Sequence, residues 1–420
     1  MQNQPIPVWL ARTYVFLFAL LPWSVEISFG SWRLTVPAEP LAALAGVGLF
    51  AHLVRQKRWP LTGIAGLATA WVGWQAVAAA GSSMPVVSGK YWVVEAGQWW
   101  VFFGGLWLWP ALWPRLIRVF TWSMAGVVLY TLAHHGIYHF RADQSLLAPM
   151  PFFDDHNIYG AVLAMLVWMA AVLPATRPPA GEGPYRVVLR NPALSTLLFL
   201  VAIVLSTSRA TGLSLFVTGM TGVALKYPRN RYWLGLAFFL AVGAGYGFRE
   251  AIAARLAADV SVQERLNRYS CALRMAADRP WMGFGPGTFP FQYLPYQRTG
   301  ETTRISIYAP LTHRGPDNYG RGGGAHSEYL QALAELGWPG FLLFLTLALG
   351  STGIGIARYR QTGRVAWLLL ALGLATFFLH GLANNFLHDA RVAALVWGGI
   401  AMLWHPSDTP FASRTRKGHL

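Results

Sequence analysis

The sequence has little charge for its length. Only 12% of its 420 residues are Asp, Glu, Lys or Arg, whereas 55% are hydrophobic. Soluble globular domains carry about 25% charged residues. This composition therefore excludes an ordinary soluble protein.

Cysteine and acidic residues are also scarce. Cys271 is the single cysteine, which excludes an internal disulfide and a cysteine metal site. Basic residues outnumber acidic ones by 33 to 17, giving a net charge of +16. They lie in short clusters between apolar runs and accompany no nucleic-acid recognition module, so we expect membrane lipids rather than nucleic acid as a partner.

Long apolar runs fill most of the chain, and a run of about 18 residues or more is typical of a membrane-spanning helix. They lie near 13–30, 36–54, 60–80, 91–112, 116–138, 157–175, 193–208, 210–226, 231–248, 327–354, 365–387 and 391–405. The first run lacks a small-residue cleavage site and is interpreted as a retained helix. The pattern predicts an all-α polytopic membrane protein with about twelve transmembrane helices.

Basic residues predict the orientation of these helices. With a cytoplasmic N-terminus, the inner loops and the tail hold eighteen Lys and Arg residues. The short outer loops hold five, namely Arg33, Lys90, Arg141, Arg209 and Arg391. The positive-inside rule predicts this bias, so both termini are expected in the cytoplasm. The predicted parts are helices 1–9 in residues 1–248, a long partly helical outer loop in 249–325, helices 10–12 in 326–405 and a basic cytoplasmic tail in 406–420.

This orientation places the polar clusters on the outer side. They are Asp154, Asp155 and His156; Ser206, Ser208 and Arg209; the long loop; His326; and His388, Asp389 and Arg391. Arg209 lies at a break between two apolar runs, where an arginine is either functional or reaches to lipid head groups. His388 and Asp389 suit either a sugar site or an ordinary membrane interface.

Within the long loop, residues 263–276 are predicted to form an amphipathic helix. Leu266, Tyr269, Leu273 and Ala276 make its apolar stripe,. Arg265 and Arg268 share a neighbouring face, which either presents a guanidinium fork to a diphosphate or is merely solvated. The sequence Gly283-Phe-Gly285-Pro-Gly287 predicts a tight turn after this helix.

The stretch from Gly320 to Gly340 passes from a glycine-rich segment into an apolar helix. His326 is expected where water meets lipid, either as a proton acceptor or as a structural residue, and Glu328 follows it closely,. The sequence Gly337-Trp-Pro-Gly340 is predicted to bend or restart the helix. A second histidine group, His134, His135 and His139, suits either a metal ion or aromatic packing.

Two of these segments carry a family resemblance. Arg209-Ala-Thr-Gly-Leu213 is similar to the arginine motif of O-antigen ligases, and His326-Ser327 followed by Gly337 and Gly340 fits their histidine motif. The stretch from Arg265 to Gly287 resembles their long-loop signature. Between about 206 and 391 the chain thus resembles the O-antigen ligase and polymerase superfamily of bacterial envelope glycosyltransferases.

The resemblance implies a GT-C-like glycosyltransferase in the bacterial inner membrane, with its active site facing the periplasm. It implies transfer of a glycan from undecaprenyl diphosphate to the lipid A core oligosaccharide, with inversion and without a metal or other cofactor. His326 would then be the catalytic base, and Arg209, Arg265 and Arg268 would bind the diphosphate. Asp389, His388 or Glu328 would bind the acceptor or orient His326.

Other activities share part of this pattern. O-antigen polymerases and protein O-oligosaccharyltransferases differ from the ligases in the hydroxyl that receives the glycan. A flippase or transporter also accommodates twelve helices, but carriers place their sites near the membrane midplane, whereas here the polar clusters lie on one face.

Overall fold

A computed structural model describes residues 6–29, 32–56, 65–172, 192–230, 232, 235, 248–301, 303 and 324–406. The chain is mostly helical. The helices are α1 (Val8–Leu20), α2 (Ala38–Gln56), α3 (Ala65–Ala80), α4 (Pro85–Gln98), α5 (Gly105–Leu108), α6 (Trp113–Ile137), α7 (His156–Ala170), α8 (Pro192–Leu205), α9 (Arg209–Lys226), α10 (Arg249–Ala258), α11 (Val260–Asp278), α12 (Phe289–Gln292), α13 (Glu328–Thr362), α14 (Val365–His380) and α15 (Ala390–Trp404).

These helices overlap eleven of the twelve predicted apolar runs. The remaining run, 231–248, lies almost entirely outside the described residues. Three segments are long and apolar enough to cross a membrane, namely Ala38–Gln56, Pro110–Ile137 and Glu328–Thr362. Shorter apolar helices accompany them, at Val8–Trp23, His156–Ala170, Ala193–Leu205, Val365–His380 and Ala390–Trp404. The chain is a multi-pass membrane protein, and the count of twelve spans stays a prediction.

The core lies where apolar helices are surrounded by other helices. Helix α14 packs against α7, α9, α13 and α15, and most of its side chains are buried. Nearly all of α15 is buried as well. Because α14 and α15 are apolar on every side, they can be buried on every side. The helices packed around them include α7, α9 and α13, whose N-terminal ends carry the candidate residues.

A two-stranded hairpin near the N-terminus interrupts the helical architecture. Strand β1 (Val25–Phe29) pairs antiparallel with β2 (Trp32–Val36), so the apolar run 13–30 is not one helix. Helix α1 ends at Leu20, and a short 3₁₀ turn containing Pro22 follows it. Proline cannot donate a backbone hydrogen bond within a helix, so the chain leaves the helix here.

The predicted helix of the long loop is present, and its apolar stripe is only partly buried. Leu266 is 56% exposed and Leu273 is 54% exposed. The side of α11 that faces the protein instead buries Glu264, Arg268 and Cys271. An ion pair between Glu264 and Arg268 makes this burial possible.

The bend predicted at Gly337 is confirmed. Gly337 has φ 67° inside α13, and the N–H of the next residue, Trp338, donates to the carbonyl of Pro280 at 2.8 Å. A Cβ at Gly337 would lie 2.4 Å from the carbonyl oxygen of Trp281. Glycine is therefore required both by the left-handed backbone and by the close approach of the long loop.

The predicted glycine turn is also confirmed, with positive φ at Gly283, Gly285 and Gly287. The N–H of Gly285 donates to the carbonyl of Glu335 at 2.8 Å. This turn and the Gly337 bend hold the long loop against α13, directly beyond the helix start that carries His326.

Candidate functional site

His326 has an unusual backbone conformation that several elements support. Its φ is 53°, in the left-handed region that non-glycine residues seldom occupy,. Its N–H donates to Oδ1 of Asn385 at 3.1 Å, and its carbonyl accepts from the Tyr269 hydroxyl at 3.2 Å. Ser327 then caps α13 by accepting from the N–H of Leu330 at 3.4 Å. A strained residue that its surroundings hold in place is typical of functional sites.

The His326 imidazole is neutral at physiological pH. Burial, together with the nearby charges of Arg268 and Arg265, lowers its pKa to about 4. Glu264 and Asp155 act in the opposite direction. Among the described residues, no side chain or backbone group is hydrogen-bonded to the imidazole, so the ring can meet a ligand.

Arg265 reaches from α11 toward the turn that follows α14. Its Nη1 donates to the Ser261 hydroxyl at 2.9 Å, and its Nε donates to the Ala383 carbonyl at 3.3 Å. Its contacts within the described part of the chain are to neutral groups rather than to a carboxylate. Its positive charge is therefore available to an anion near His326.

Arg268, one turn further along α11, is placed differently. Its Nε donates to Oε1 of Glu264 at 2.8 Å, and both side chains are buried. Its guanidinium also lies 3.9 Å from the ring centre of Tyr293. The two arginines do not present one open fork as predicted for the diphosphate, because Glu264 already engages the second guanidinium.

Arg209 lies at the first residue of α9, as the sequence predicts for a helix boundary. Its Nη1 donates to Oδ2 of Asp259 at 2.7 Å, and 69% of its side chain is exposed. The hydrogen bond from Arg209 is the main cause of the lowered pKa of Asp259. Asp259 also caps α11, so this pair connects Arg209 to the helix of Arg265.

Asp389 and His388 lie in the turn between α14 and α15, and Glu328 of α13 contacts this turn. Asp389 caps α15 and accepts from Nε of Arg391 at 2.9 Å. The His388 carbonyl accepts from Nε2 of Gln98 at 2.8 Å. The observed carboxylate contacts of Asp389 are thus with its own helix, and none of them reaches His326.

Glu328 shapes the same turn from the other side. Its Oε1 accepts from the N–H groups of Phe386 and Leu387 at 2.6 and 2.7 Å. Within this turn, the Asn385 side chain accepts from the N–H of His326, and the Ala383 carbonyl accepts from Arg265. Glu328 therefore acts on the site through the backbone, and its predicted role as a direct partner of His326 stays a prediction.

A closed series of hydrogen bonds connects five helices that are distant in the sequence. The bonded groups lie at or near the helix starts, except for Tyr269 in the middle of α11, and we call this set the ring of helix starts. Asn157 of α7 accepts a hydrogen bond from Ser208, the N-cap of α9, and Arg209 of α9 pairs with Asp259, the N-cap of α11. The Tyr269 hydroxyl of α11 donates to the carbonyl of His326, just before α13, and Glu328 of α13 accepts from the N–H of Phe386, before α15. Arg391 of α15 donates to the carbonyl of Phe152, shortly before α7. Helix N-termini carry partial positive charge, so their convergence favours an anionic ligand.

Sequence reasoning missed a buried polar group behind His326. The N–H of Ala325 donates to Oε1 of Gln331, and Nε2 of Gln331 donates to Glu335, both at 2.7 Å. Glu335 also accepts from the N–H groups of Gly287 and Phe289 at 2.9 and 2.8 Å. The signal was Gln331 and Glu335, four residues apart on an otherwise apolar helix.

Replacing Glu335 by alanine is expected to destabilise the protein. Three donors would lose their acceptor in a buried place, each at a cost of about 1–3 kcal/mol. The thermal midpoint of purified protein in detergent should fall by about 5 °C or more. Glu250→Ala, at an exposed position of α10, is the matched control, and an equal midpoint for both variants would show that the Glu335 bonds contribute little.

Two histidines of the second group, His134 and His135, bind backbone carbonyls. Nδ1 of His134 lies 3.0 Å from the Ala148 carbonyl, and Nε2 of His135 lies 2.9 Å from the Arg141 carbonyl. The part of the chain that the structure describes contains no group of three His, Cys, Asp or Glu residues arranged to hold a metal ion. Burial raises the pKa of the Cys271 thiol to about 11, so this thiol is not a nucleophile at neutral pH.

Comparison with known families supports the resemblance. No curated protein matches the chain. A family model described as O-antigen ligase matches residues 194–345, which include Arg209, Arg265, Arg268 and His326 but not Asp389. Members of this family are membrane glycosyltransferase-like enzymes, either ligases or polymerases. Residues 194–345 are therefore similar to the O-antigen ligase family.

Proposed function

We propose that the protein is an O-antigen ligase, which transfers a glycan from undecaprenyl diphosphate to a hydroxyl of the lipid A core oligosaccharide. The observation that carries this proposal is the convergence of a neutral imidazole, His326, and a guanidinium not paired with a described carboxylate, Arg265, within one ring of helix starts. Proton removal and stabilisation of a leaving diphosphate require these two groups side by side.

In the proposed reaction, the acceptor hydroxyl attacks the anomeric carbon on the side opposite the diphosphate. The new carbon–oxygen bond forms as the bond to the diphosphate oxygen breaks, and the configuration inverts. His326 takes the hydroxyl proton. Negative charge grows on the departing diphosphate, which Arg265 and Arg209 stabilise.

The electrostatics of the site link these two tasks. The charges of Arg265 and Arg268 contribute to the low pKa of His326. A diphosphate bound beside Arg265 would offset part of this positive charge and raise the proton affinity of the imidazole. His326 would thus become the stronger base when the donor is in place. Arg268 supports the site from behind, through its buried pair with Glu264.

The remaining roles concern the turn between α14 and α15. Asp389 and His388 are proposed to lie near the acceptor sugars, while Glu328 fixes the backbone that carries Asn385. Because Asp389 is engaged by Arg391, its contribution would be the position of this turn rather than a direct bond to His326.

The proposal includes a location in the bacterial inner membrane with both termini in the cytoplasm. The bias of basic residues supports this orientation,. The ring of helix starts would then face the periplasm, with residues 249–325 as a periplasmic loop between helices 1–9 and helices 10–12. The basic tail, 406–420, lies outside the described residues apart from its first residue.

The proposal is tested with purified protein, undecaprenyl-diphosphate-linked glycan and lipopolysaccharide that ends at the core. We expect glycan-capped lipopolysaccharide as the product, both with and without a metal chelator. Elongation of the lipid-linked glycan would identify a polymerase, and glycosylation of an added protein would identify a protein O-oligosaccharyltransferase. Movement of the lipid-linked glycan across a vesicle without any product would identify a transporter.

A further inference from the structure

The N-terminal end of α7 carries an imidazole whose role the proposed reaction leaves open. Asp155 caps this helix, and its Oδ1 accepts from the N–H of Asn157 at 2.7 Å. Nδ1 of the intervening residue, His156, lies 3.5 Å from the same oxygen. The imidazole is 21% exposed, and within the described chain its Nε2 has no hydrogen-bond partner.

Contacts place this imidazole in the ring of helix starts. Asn157 binds Ser208 at 2.8 Å, directly before Arg209. Arg265 lies close enough for its charge to act on both His156 and His326, and the charge of Asp155 also acts on His326. His156 and His326 therefore share one electrostatic neighbourhood with Arg265, although they lie on different helices.

A third imidazole in this neighbourhood is buried without a partner. His380, the last residue of α14, is 1% exposed, and neither of its ring nitrogens is hydrogen-bonded to a described residue. The charges of Arg265 and His156 both act on it. A neutral imidazole always keeps one N–H donor, so His380 holds a buried donor beside two groups that attract anions.

We propose that His156 is a second ligand-binding imidazole of this site, which donates a hydrogen bond from Nε2 to the diphosphate of the lipid-linked donor. Asp155 keeps a proton on Nδ1, and the proton on Nε2 is taken up from water as the anion binds. No bond is made or broken at His156. His380 is a positioning residue that contributes one buried N–H donor to the same neighbourhood,.

This inference rests on the proposed function for the identity of its ligand, but its anion chemistry can be tested without catalysis. The probe is inorganic pyrophosphate, and its binding to the full-length protein in detergent is measured by calorimetry. His156→Asn keeps a polar side chain of similar reach and removes the charge. His139→Asn is the matched control, since His139 is an exposed histidine with φ 52°, a conformation that asparagine tolerates,.

We expect His156→Asn to weaken pyrophosphate binding about tenfold or more, as for loss of a hydrogen bond to a charged group. His139→Asn should bind as the unchanged protein does. In the transfer assay, His156→Asn should raise KM for the lipid-linked donor by a similar factor and leave KM for the acceptor unchanged. His380→Phe, which keeps the ring volume, should weaken pyrophosphate binding less than His156→Asn does.

Equal pyrophosphate binding by His156→Asn and the unchanged protein would overturn the inference, even if the enzyme transfers glycan normally. Thermal midpoints separate this result from misfolding, and a variant that melts early is replaced by His156→Gln. If the unchanged protein binds pyrophosphate through His156 but forms no capped lipopolysaccharide, the anion site stands and the ligase function fails.

Discussion

Replacing His326 by alanine is expected to lower the rate of glycan transfer about a hundredfold to ten-thousandfold, the usual contribution of a general base. No other imidazole of the described chain is held in the same way, between Asn385, Tyr269 and the cap of α13. The measurement is the initial rate of lipopolysaccharide capping by purified protein at saturating donor and acceptor.

Because His326 has a left-handed backbone, alanine also introduces strain that is unrelated to catalysis. His326→Asn separates the two effects, since asparagine tolerates this conformation but cannot take the proton. Both variants should lose activity to this extent, and His326→Asn should keep the thermal midpoint of the unchanged protein. Substantial activity in His326→Asn would remove the base from the mechanism.

The pH dependence of the unchanged enzyme provides a second test of His326 as the base. Protonation removes the base, so activity is lost as pH falls through the pKa. For the free enzyme, kcat/KM should fall near pH 4, the value that burial and the two arginines produce,. The loss of kcat at low pH should occur at a higher pH than the loss of kcat/KM, because a bound diphosphate offsets the charge of Arg265. Coincident limbs would show that the diphosphate does not act on His326.

Replacing Arg265 by lysine is expected to reduce kcat about a hundredfold or more, as for loss of one group that stabilises a leaving anion. The guanidinium binds Ser261 and Ala383 and still has donors left for a phosphate oxygen. An ammonium is a point charge and cannot reproduce this planar geometry. The measurement is kcat for transfer, with the thermal midpoint as a check on folding.

Arg274→Lys is the matched control on the same helix. Arg274 pairs with Glu301, and lysine preserves this pair's charge, so transfer should be nearly unchanged. A small effect of Arg265→Lys, comparable to that of Arg274→Lys, would assign Arg265 to holding the turn after α14 rather than to the diphosphate.

Much of the helical architecture could be predicted from hydrophobic runs. In lipid, backbone N–H and C=O groups must bond within their own segment, so a long apolar run has few alternatives to a helix. The same reasoning failed for the run 13–30, because Pro22 ends the helix and a hairpin follows. Nor did it reveal which face of α11 is buried, because Glu264 and Arg268 are buried there while Leu266 and Leu273 are exposed.

The sequence identified the candidate residues only as parts of separate motifs. Their spacing placed Arg209 at a helix start, predicted the helix of Arg265 and predicted the bend at Gly337. It could not show that Glu264 engages Arg268 and leaves Arg265 for an anion, although the spacing of four residues permits that pair. Nor could it reveal Asn385 or Glu335, whose partners lie about fifty residues away in the chain.

Local chemistry by itself determined that this chain is an apolar, helical membrane protein with its polar groups at helix ends, because periodicity and lipid solvation act over a few neighbouring residues. Only the tertiary structure decided which helix ends meet, which carboxylate engages which arginine, and how low the pKa of His326 lies. Those properties depend on charges and hydrogen bonds between segments that are remote in sequence. The packing of the whole chain decides how deeply these groups are buried, and burial sets the strength of their interactions.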